Sequence, residues 1–180
     1  MTPSKQILNS EEMNRAIVRI AHEILEKNRG SKDLVLIGIR TGGALLAKRF
    51  QEQLQSIESK TIPIGALDIT MYRDDLSEVG AQPDIKQTDI SFDVQGKKVI
   101  LVDDVLFTGR TIRCALDAII DFGRPQIIQL AVLIDRGHRQ LPIKPDYVGK
   151  NIPTSTKEEV VVAFKENGGE DRVTVVEKNG

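Results

Sequence analysis

The sequence predicts an α/β fold with a mostly parallel, twisted sheet flanked by helices. Short apolar runs such as LVLIGI (34–39) and VILV (99–102) lack polar alternation, which is typical of strands buried on both faces. Segments with helical periodicity separate these runs. Strands that alternate with helices form parallel sheets with right-handed crossovers.

The predicted elements can be assigned in chain order. Apolar residues at helical spacing predict a first helix over 10–28, which Asn9 or Ser10 can cap and Gly30 ends. Further helices are predicted from 42 to about 54 and over 111–122. Strands are predicted at 34–39, 61–68, 98–102, 127–134, 160–164 and 172–176.

Two stretches are predicted to be irregular. Residues 71–92 are polar and rich in Asp, Ser, Gly and Pro, the profile of a long mobile loop. A second irregular stretch at 136–151 contains prolines and basic residues. We expect one domain over 1–180, with a flexible loop at about 70–92 and a small hood built from about 135–180 and N-terminal residues.

Composition excludes several classes of protein. The sequence shows no membrane-spanning run and no secretory signal, and these observations predict a cytoplasmic protein. The single cysteine, Cys114, excludes an internal disulfide framework and is expected to be a small core residue. His22 and His138 lack metal-ligand spacing, so no metal site of direct protein ligands is expected. The net charge of −1 excludes general coating of nucleic acid but allows a local basic patch.

The stretch VILVDDVLFTGRT (99–111) carries the strongest chemical signal. Asp103 and Asp104 follow a buried strand, where the carboxyl ends of parallel strands form ligand sites. The short loop after them offers backbone N–H groups, hydroxyls and a helix N-terminus, which together suit a phosphate monoester. Because carboxylates repel phosphate, they indicate a ligand that also carries ribose hydroxyls or a divalent cation. The alternative is a pair of aspartates that merely caps the helix.

These residues resemble the phosphoribosyl-pyrophosphate motif of type I phosphoribosyltransferases: an apolar strand, two acids, a small loop and Thr-Gly-x-Thr. Together with this motif, four further segments resemble the PyrR family of pyrimidine-operon attenuators. The resemblance covers about residues 8–165. The segments are RIAHE (19–23), GIRTGG (38–43), LDITMYRDDL (67–76) and IQLAVLIDRGHRQLPIKPDYVGKNIPTS (128–155). Proteins of that family bind RNA and also act as uracil phosphoribosyltransferases.

The resemblance implies a reaction in which uracil and phosphoribosyl pyrophosphate give UMP and pyrophosphate, with Mg²⁺ bound alongside the substrate. By similarity, Asp103 and Asp104 bind the ribose hydroxyls, and Arg73 in the mobile loop contacts pyrophosphate as a third catalytic residue. The 5-phosphate loop comprises the seven residues Val105, Leu106, Phe107, Thr108, Gly109, Arg110 and Thr111.

Two more parts of the nucleotide site follow from the same resemblance. Arg40, Thr41 and Gly42 look like the pyrophosphate loop, although many relatives place an arginine where this chain has Gly42. That difference implies a lost or relocated cation. The hood residues expected near uracil are Asp135, Arg136 and, through its backbone, Val160. Tyr72 is expected to enter the site together with the mobile loop.

The implied RNA surface combines two basic segments. Arg15, Arg19 and His22 share one face of the first helix, and Lys27 lies further along it. The second segment contributes His138, Arg139, Lys144 and Lys150. Without the resemblance, such spaced charges are more often a solvated face. Val18 stands where relatives often carry a threonine, which implies one hydrogen bond fewer to RNA.

The resemblance implies partners and leaves two alternatives open. The implied ligands are phosphoribosyl pyrophosphate, uracil, UMP or UTP, and the leader RNA of a pyrimidine operon, bound by a homo-oligomer of at least two copies. One alternative is a plain uracil salvage enzyme whose basic face has no RNA partner. The other is an RNA regulator that senses nucleotides and has weak catalysis because of Gly42.

Overall fold

The computed structural model describes residues 4–72 and 87–178. Within these residues the chain forms eight strands and three α-helices. In order they are β1 (Ser4–Leu8), α1 (Ser10–Asn28), β2 (Leu34–Ile39), α2 (Gly42–Glu58), β3 (Ile64–Leu67), β4 (Lys98–Leu106), α3 (Arg110–Phe122), β5 (Ile127–Asp135), β6 (Tyr147–Asn151), β7 (Glu158–Ala163) and β8 (Arg172–Glu177).

A parallel five-stranded sheet in the order β3-β2-β4-β5-β6 organises the molecule and confirms the predicted α/β class. Alternate residues of its central strands point to opposite faces. Leu36 and Ile100 pack with α1 and α2 on one face, whereas Ile37 and Leu101 pack with α3 on the other. Covering both faces explains why these strands read as unbroken apolar runs.

A second sheet contains three antiparallel strands in the order β1-β8-β7. Its strands come from the N-terminal residues and from 158–177, within the segments expected to build a hood. Arg49 of α2 fastens this region, because its guanidinium donates to Glu166 at 2.6 Å and to Asp171 at 2.7 Å. We use "hood" below for the three-stranded sheet and the connections around it.

Helix α1 has the predicted bounds, from Ser10 to Asn28. Asn9 caps it, since its side chain accepts from the N–H of Glu12 while the Glu12 carboxylate accepts from the N–H of Asn9. At the other end Arg29 takes the left-handed cap conformation with φ 55°, and Gly30, which was predicted to end the helix, follows with φ 103° and donates its N–H to Leu25 O at 2.9 Å. Helix α2 continues to Glu58, four residues past the predicted end at Leu54.

Three strand assignments were incomplete. Strand β4 continues through Asp103 and Asp104 to Leu106 because these residues keep pairing with β5, so the predicted end at 102 was wrong. Strand β6 lies inside the stretch predicted to be irregular, and β1 was not predicted at all. Both are edge strands with exposed residues, which weakens the apolar signal.

Only the two ends of the predicted mobile loop are described. Residues 70–72 form one 3-10 turn, and Asp89 pairs with Ala66 through two backbone hydrogen bonds. Arg73 lies outside the described residues, as does the rest of 73–86. In the described part of the chain, none of the helices has both the length and the apolar character needed to span a bilayer.

Candidate nucleotide and RNA sites

A cavity of about 550 Å³ opens at the carboxyl edge of the parallel sheet. The turns after β2, β3 and β4 meet there, as expected for ligand sites of open α/β sheets. Its walls are formed by Ile39, Arg40, Thr41, Gly42, Asp68, Ile69, Thr70, Asp103, Asp104, Val105, Arg110, Thr111 and Cys114. The structure therefore brings both acids, the three pyrophosphate-loop candidates and the start of α3 to one place.

The two acids are held by their own backbone and by a glycine. The Asp103 carboxylate accepts from the N–H of Asp104 at 2.9 Å, and Asp104 accepts from the N–H of Val105 at 2.8 Å. A Cβ on Gly42 would lie 2.2 Å from Oδ2 of Asp104, so only glycine leaves room for the carboxylate in this position. The Asp104 side chain thus packs directly against Gly42, one of the pyrophosphate-loop candidates.

Asp103 is the more deeply placed acid, with 7% of its surface exposed. Burial raises the pKa of Asp103 well above its ordinary value, and the adjacent carboxylate of Asp104 raises it further. A buried acid that resists ionisation destabilises the folded protein at neutral pH unless a cation or ligand hydroxyl compensates.

Replacing Asp103 with Asn should therefore raise the midpoint of thermal unfolding, and more at about pH 8 than at about pH 4.5. The unfolded carboxyl ionises near pH 3.9. Because the folded-state pKa is higher, the wild-type penalty is absent below pH 3.9 and complete only above the folded-state pKa. Each 1 kcal/mol gained corresponds to about 2–4 °C for a domain of this size. Scanning calorimetry without ligands measures the difference, and an equal gain at both pH values would contradict this account.

The connection predicted to hold the 5-phosphate is shorter than the range 105–111. Val105 and Leu106 belong to β4 and Leu106 is buried, so the connection contains only Phe107, Thr108 and Gly109 before α3 begins. Gly109 has φ 93°, a left-handed conformation that glycine adopts without penalty. Arg110 and Thr111 are the first residues of α3, whose early N–H groups lack partners within the helix. Of these residues Arg110 and Thr111 line the cavity, whereas Phe107, Thr108 and Gly109 are not among its lining residues.

The pyrophosphate-loop candidates connect β2 to α2. The backbone N–H of Arg40 continues the ladder by donating to Leu67 O at 2.9 Å, and its side-chain Nε donates to the carbonyl of Gln87 at 2.7 Å. Arg40 is thereby linked to the described end of the predicted mobile loop. Thr41 is exposed at the cap position of α2.

Two polar residues of the cavity wall, Asp68 and Thr70, were not predicted from the sequence. Asp68 follows β3, and its carboxylate accepts from both the N–H and the hydroxyl of Thr70, at 2.9 and 2.5 Å. The signal that could have identified Asp68 is its position after an apolar strand, the same signal that identified Asp103. The predicted strand 61–68 included Asp68, which concealed it.

The hood candidates are held in a tight polar network. Arg136 is 4% exposed, and its guanidinium donates to Thr154 Oγ1, Ser155 O and Glu158 O. Asp135 accepts from the N–H of Gly137 and forms an ion pair with Arg139 at 2.8 Å. Val160 is buried in β7, which places it in the small sheet. Among the described residues, these three do not line the cavity beside Asp104.

The four basic candidates of α1 are all exposed, and three of them have acidic partners. Arg15 pairs with Glu11, and Lys27 pairs with Asp146 across to the residue before β6. Arg19 pairs with Glu23 and also donates to Gly149 O at 2.6 Å. His22 shares this helix face, and Val18 beside it is half-buried. Helix α1 is thus joined directly to β6.

The second basic segment divides into two groups. Lys144 and Lys150 are exposed, and Lys150 lies in β6 opposite Ile134 of β5. His138 is exposed next to the hood, where its ring contacts the carbonyl of Thr154. Arg139 differs, because it is half-buried and its guanidinium donates to Phe107 O, Ile143 O and Asp135. The structure thus commits Arg139 to contacts beneath the 5-phosphate loop instead of to an open surface.

Tyr72 was expected to enter the nucleotide site, but its side chain lies elsewhere. The Tyr72 hydroxyl donates to the Asp121 carboxylate near the end of α3, at 2.6 Å. This bond raises the pKa of Tyr72, and Tyr72 is directed toward α3 and not into the cavity.

Cys114 is buried as expected and lines the cavity. Residues 4–72 and 87–178 contain no group of three or more His, Cys, Asp or Glu arranged to hold a metal ion.

Comparison with known proteins identifies the family. The phosphoribosyl transferase domain matches residues 3–167. The bifunctional protein PyrR of Pelotomaculum thermopropionicum is 57% identical over 172 residues, covering 96% of this chain and 95% of that protein. The bifunctional protein PyrR of Oceanobacillus iheyensis is 57% identical over 180 residues, covering 99% and 100%. The hypoxanthine phosphoribosyltransferase of Trypanosoma cruzi, 19% identical, shares the fold with a TM-score of 0.73 over 97% of each chain. The chain therefore belongs to the phosphoribosyl transferase domain family and, within it, to the PyrR bifunctional proteins.

Proposed function

We propose that this chain transfers phosphoribose from phosphoribosyl pyrophosphate to uracil, and that it binds the leader RNA of a pyrimidine operon when a uridine nucleotide occupies the same cavity. The proposed phosphoribosyl transfer is supported by one observation: two acids and the N–H-rich start of α3 line the same cavity. A sugar that carries a 5-phosphate and vicinal hydroxyls matches both chemistries.

The transfer step breaks the bond between ribose C1 and pyrophosphate, and positive charge develops on the ribose. Phe107 to Thr111 hold the 5-phosphate through backbone N–H groups and the hydroxyls of Thr108 and Thr111. Asp103 and Asp104 accept hydrogen bonds from the ribose hydroxyls and place negative charge beside the developing cation. Holding both reactants in one cavity lowers the entropic cost of the encounter.

Arg40, Thr41 and Gly42 face the departing pyrophosphate in this proposal. Arg40 supplies the positive charge, and the start of α2 supplies backbone N–H groups. Arg73, which lies outside the described residues, remains the candidate for a second cation from the loop. The carboxylate oxygens of Asp103 and Asp104 also suit Mg²⁺, which prefers oxygen ligands and keeps several waters. When bound with the substrate, Mg²⁺ would neutralise charge on the pyrophosphate.

The uracil site is proposed at the hood side of the cavity. The side chains of Asp135 and Arg136 are engaged in internal contacts, and so are the N–H of Arg136, which donates to Leu106 O, and the carbonyl of Asp135, which accepts from Ile152. Asp135 and Arg136 would therefore exchange internal hydrogen bonds to read the uracil edge, and Val160 would read it through its backbone. Planar bases that differ only in their polar edge are best distinguished by fixed hydrogen-bonding groups.

The RNA surface is proposed along α1, β6 and the residues that follow β5. Arg15, Arg19 and His22 supply the helix side of this surface, Lys150 the strand side, and His138 the end nearest the hood, with Lys27 and Lys144 further out. The contacts from Arg19 to Val148 O and Gly149 O support one continuous surface. Exposed basic side chains next to a histidine suit a single-stranded RNA loop, where phosphates and unstacked bases are both accessible. We propose a homo-oligomer of at least two copies as the RNA-binding form and the cytoplasm as its location.

A specific observation also favours the alternative of a nucleotide-sensing regulator with weak catalysis. The space that a side chain at position 42 would need is filled by the Asp104 carboxylate. A cation at that position is therefore excluded while Asp104 keeps this conformation. Nucleotide binding through the 5-phosphate loop does not depend on a cation at position 42.

Two assays on the purified full-length protein test the proposal. A gel-shift titration with the leader hairpin measures RNA affinity with and without UMP, and a second assay measures pyrophosphate release from phosphoribosyl pyrophosphate with uracil, cytosine or hypoxanthine. Uracil-dependent release together with UMP-enhanced RNA binding is the expected result. RNA binding without release would identify the sensing regulator, and release without RNA binding would identify a salvage enzyme; either result would overturn the dual function.

A further inference from the structure

The chain segment after β5 is fastened to the 5-phosphate loop along its length. We call residues 136–141 the post-β5 segment. The N–H of Arg136 donates to Leu106 O at 3.1 Å, and the N–H of Gln140 donates to Thr108 O at 2.9 Å. Between them, Nη1 of Arg139 donates to Phe107 O at 2.7 Å. Three successive carbonyls, from the end of β4 into the loop, therefore accept hydrogen bonds from a single segment.

The side chain of Phe107 makes the same connection. The guanidinium carbon of Arg136 lies 3.9 Å from the centre of the Phe107 ring, a distance typical of a cation–π contact. The imidazole of His138 meets the same ring edge-on, with centroids 5.8 Å apart and planes inclined by 70°. One aromatic residue of the predicted 5-phosphate loop thus touches both a buried hood residue and a candidate RNA contact.

The two sides of this loop serve different partners. In a peptide unit the N–H and the C=O point in opposite directions, so a loop that offers its N–H groups to a phosphate turns its carbonyls away from it. Here those carbonyls accept from the post-β5 segment. Any ordering of the loop by a bound phosphate is therefore passed directly to the segment through bonds that already exist.

The post-β5 segment has a backbone that depends on such support. Gly137 and His138 have φ values of 77° and 63°. A left-handed conformation is unfavourable for a non-glycine residue and persists where surrounding contacts hold it. Among the residues that the structure describes, His138 contacts the Phe107 ring and the carbonyl of Thr154. The orientation of the His138 imidazole therefore depends on where Phe107 lies.

We propose that Phe107 couples the nucleotide cavity to the RNA surface: a uridine nucleotide that orders the 5-phosphate loop fixes Phe107, and Phe107 fixes His138 and the post-β5 segment in the RNA-binding geometry. This inference rests on the proposed function and names the regulation of its site. Arg139 is a positioning residue here, holding the carbonyl of Phe107 and contacting the RNA only through its neighbours.

The test measures the ratio of RNA dissociation constants without UMP and at saturating UMP. Wild-type protein should show a ratio of about 5 to 150, the usual range for coupled sites. Phe107→Leu keeps an apolar side chain but removes the aromatic face, and its ratio should fall to about one. A variant that binds RNA more weakly both with and without UMP keeps the same ratio. A variant that binds UMP more weakly also keeps it, because UMP is added to saturation. A wild-type ratio in Phe107→Leu would overturn the proposal.

Phe164→Leu is the matched control. Phe164 is also an aromatic ring beneath a guanidinium, that of Arg49 at 5.1 Å, but it packs in the hood away from the 5-phosphate loop. Its variant should keep the wild-type ratio. Loss of coupling in both variants would overturn the specific role of Phe107.

Hydrogen exchange on wild-type protein gives a second test that needs neither a variant nor RNA. Saturating UMP should slow exchange at the amides of Arg136, Gln140 and Leu141, each of which donates to the end of β4 or to the loop. Protection confined to residues 107–112 would contradict the coupling even if RNA binding is normal. Failure of the wild-type protein to bind RNA would instead be a failure of the proposed function, so the two results remain distinguishable.

Discussion

Asp104→Asn should lower the turnover number for UMP formation by about 10²- to 10³-fold, the usual effect of removing one preorganised charge-stabilising group. Asparagine has the same shape and can still accept from the N–H of Val105, so the position next to Gly42 is preserved. The variant lacks the negative charge beside the ribose as its C1 becomes cationic. The effect should therefore appear in turnover more than in the affinity for phosphoribosyl pyrophosphate.

Steady-state kinetics with uracil and phosphoribosyl pyrophosphate measure this change. The control is Asp117→Asn, an exposed aspartate of α3 that pairs with Arg113 and does not line the cavity. It should behave like wild type. Turnover of Asp104→Asn within about threefold of wild type would show that the carboxylate does not stabilise the transition state.

Arg19→Ala should weaken binding of the leader hairpin by about 10- to 100-fold, because hydrogen bonds to charged groups contribute about 1.5–3 kcal/mol each. Arg19 contributes charge to the proposed surface and also holds α1 to β6 through two carbonyls. The slope of log affinity against log salt concentration should also fall, by about 0.7 for each phosphate that the variant no longer neutralises. Gel-shift titrations over a series of salt concentrations give both values.

Arg113→Ala is a closely matched control for this prediction. Arg113 also pairs with an acid four residues later, and its side chain is 46% exposed against 48% for Arg19. It lies on α3, whose buried residues pack on the other face of the sheet from α1. Its replacement should leave RNA affinity and salt dependence unchanged. Equal losses of affinity in both variants would indicate a general charge effect and contradict a defined RNA surface.

Most of the residues that line the cavity at the sheet edge could be predicted from the sequence because their signals are local. An apolar run followed by two acids and a glycine loop lies within 13 residues, 99–111, and the parallel sheet brings its end next to the turn after β2. The exact end of β4 was not predictable in this way. Asp103 and Asp104 look like strand terminators by composition, but pairing with β5 carries the strand past them.

Other features depend on contacts between distant residues, which no local pattern reveals. Strand β1 exists because it pairs with β8, where Ser4 lies opposite Val176. Arg139 looked like one more member of a basic cluster, yet a pocket formed by Phe107, Asp135 and Ile143 takes its guanidinium. A sequence specifies which side chain is present but does not show its direction, and this direction decides whether it can meet RNA.

In the proposed function, one chain binds a uridine nucleotide and an RNA at two linked sites. Calorimetric titration of UMP into the protein, alone and with saturating leader hairpin, measures this linkage. Linkage requires the hairpin to tighten UMP binding by the same factor by which UMP tightens hairpin binding, about 5- to 150-fold. That equality is the predicted result, and a UMP affinity unaffected by the hairpin would contradict the account.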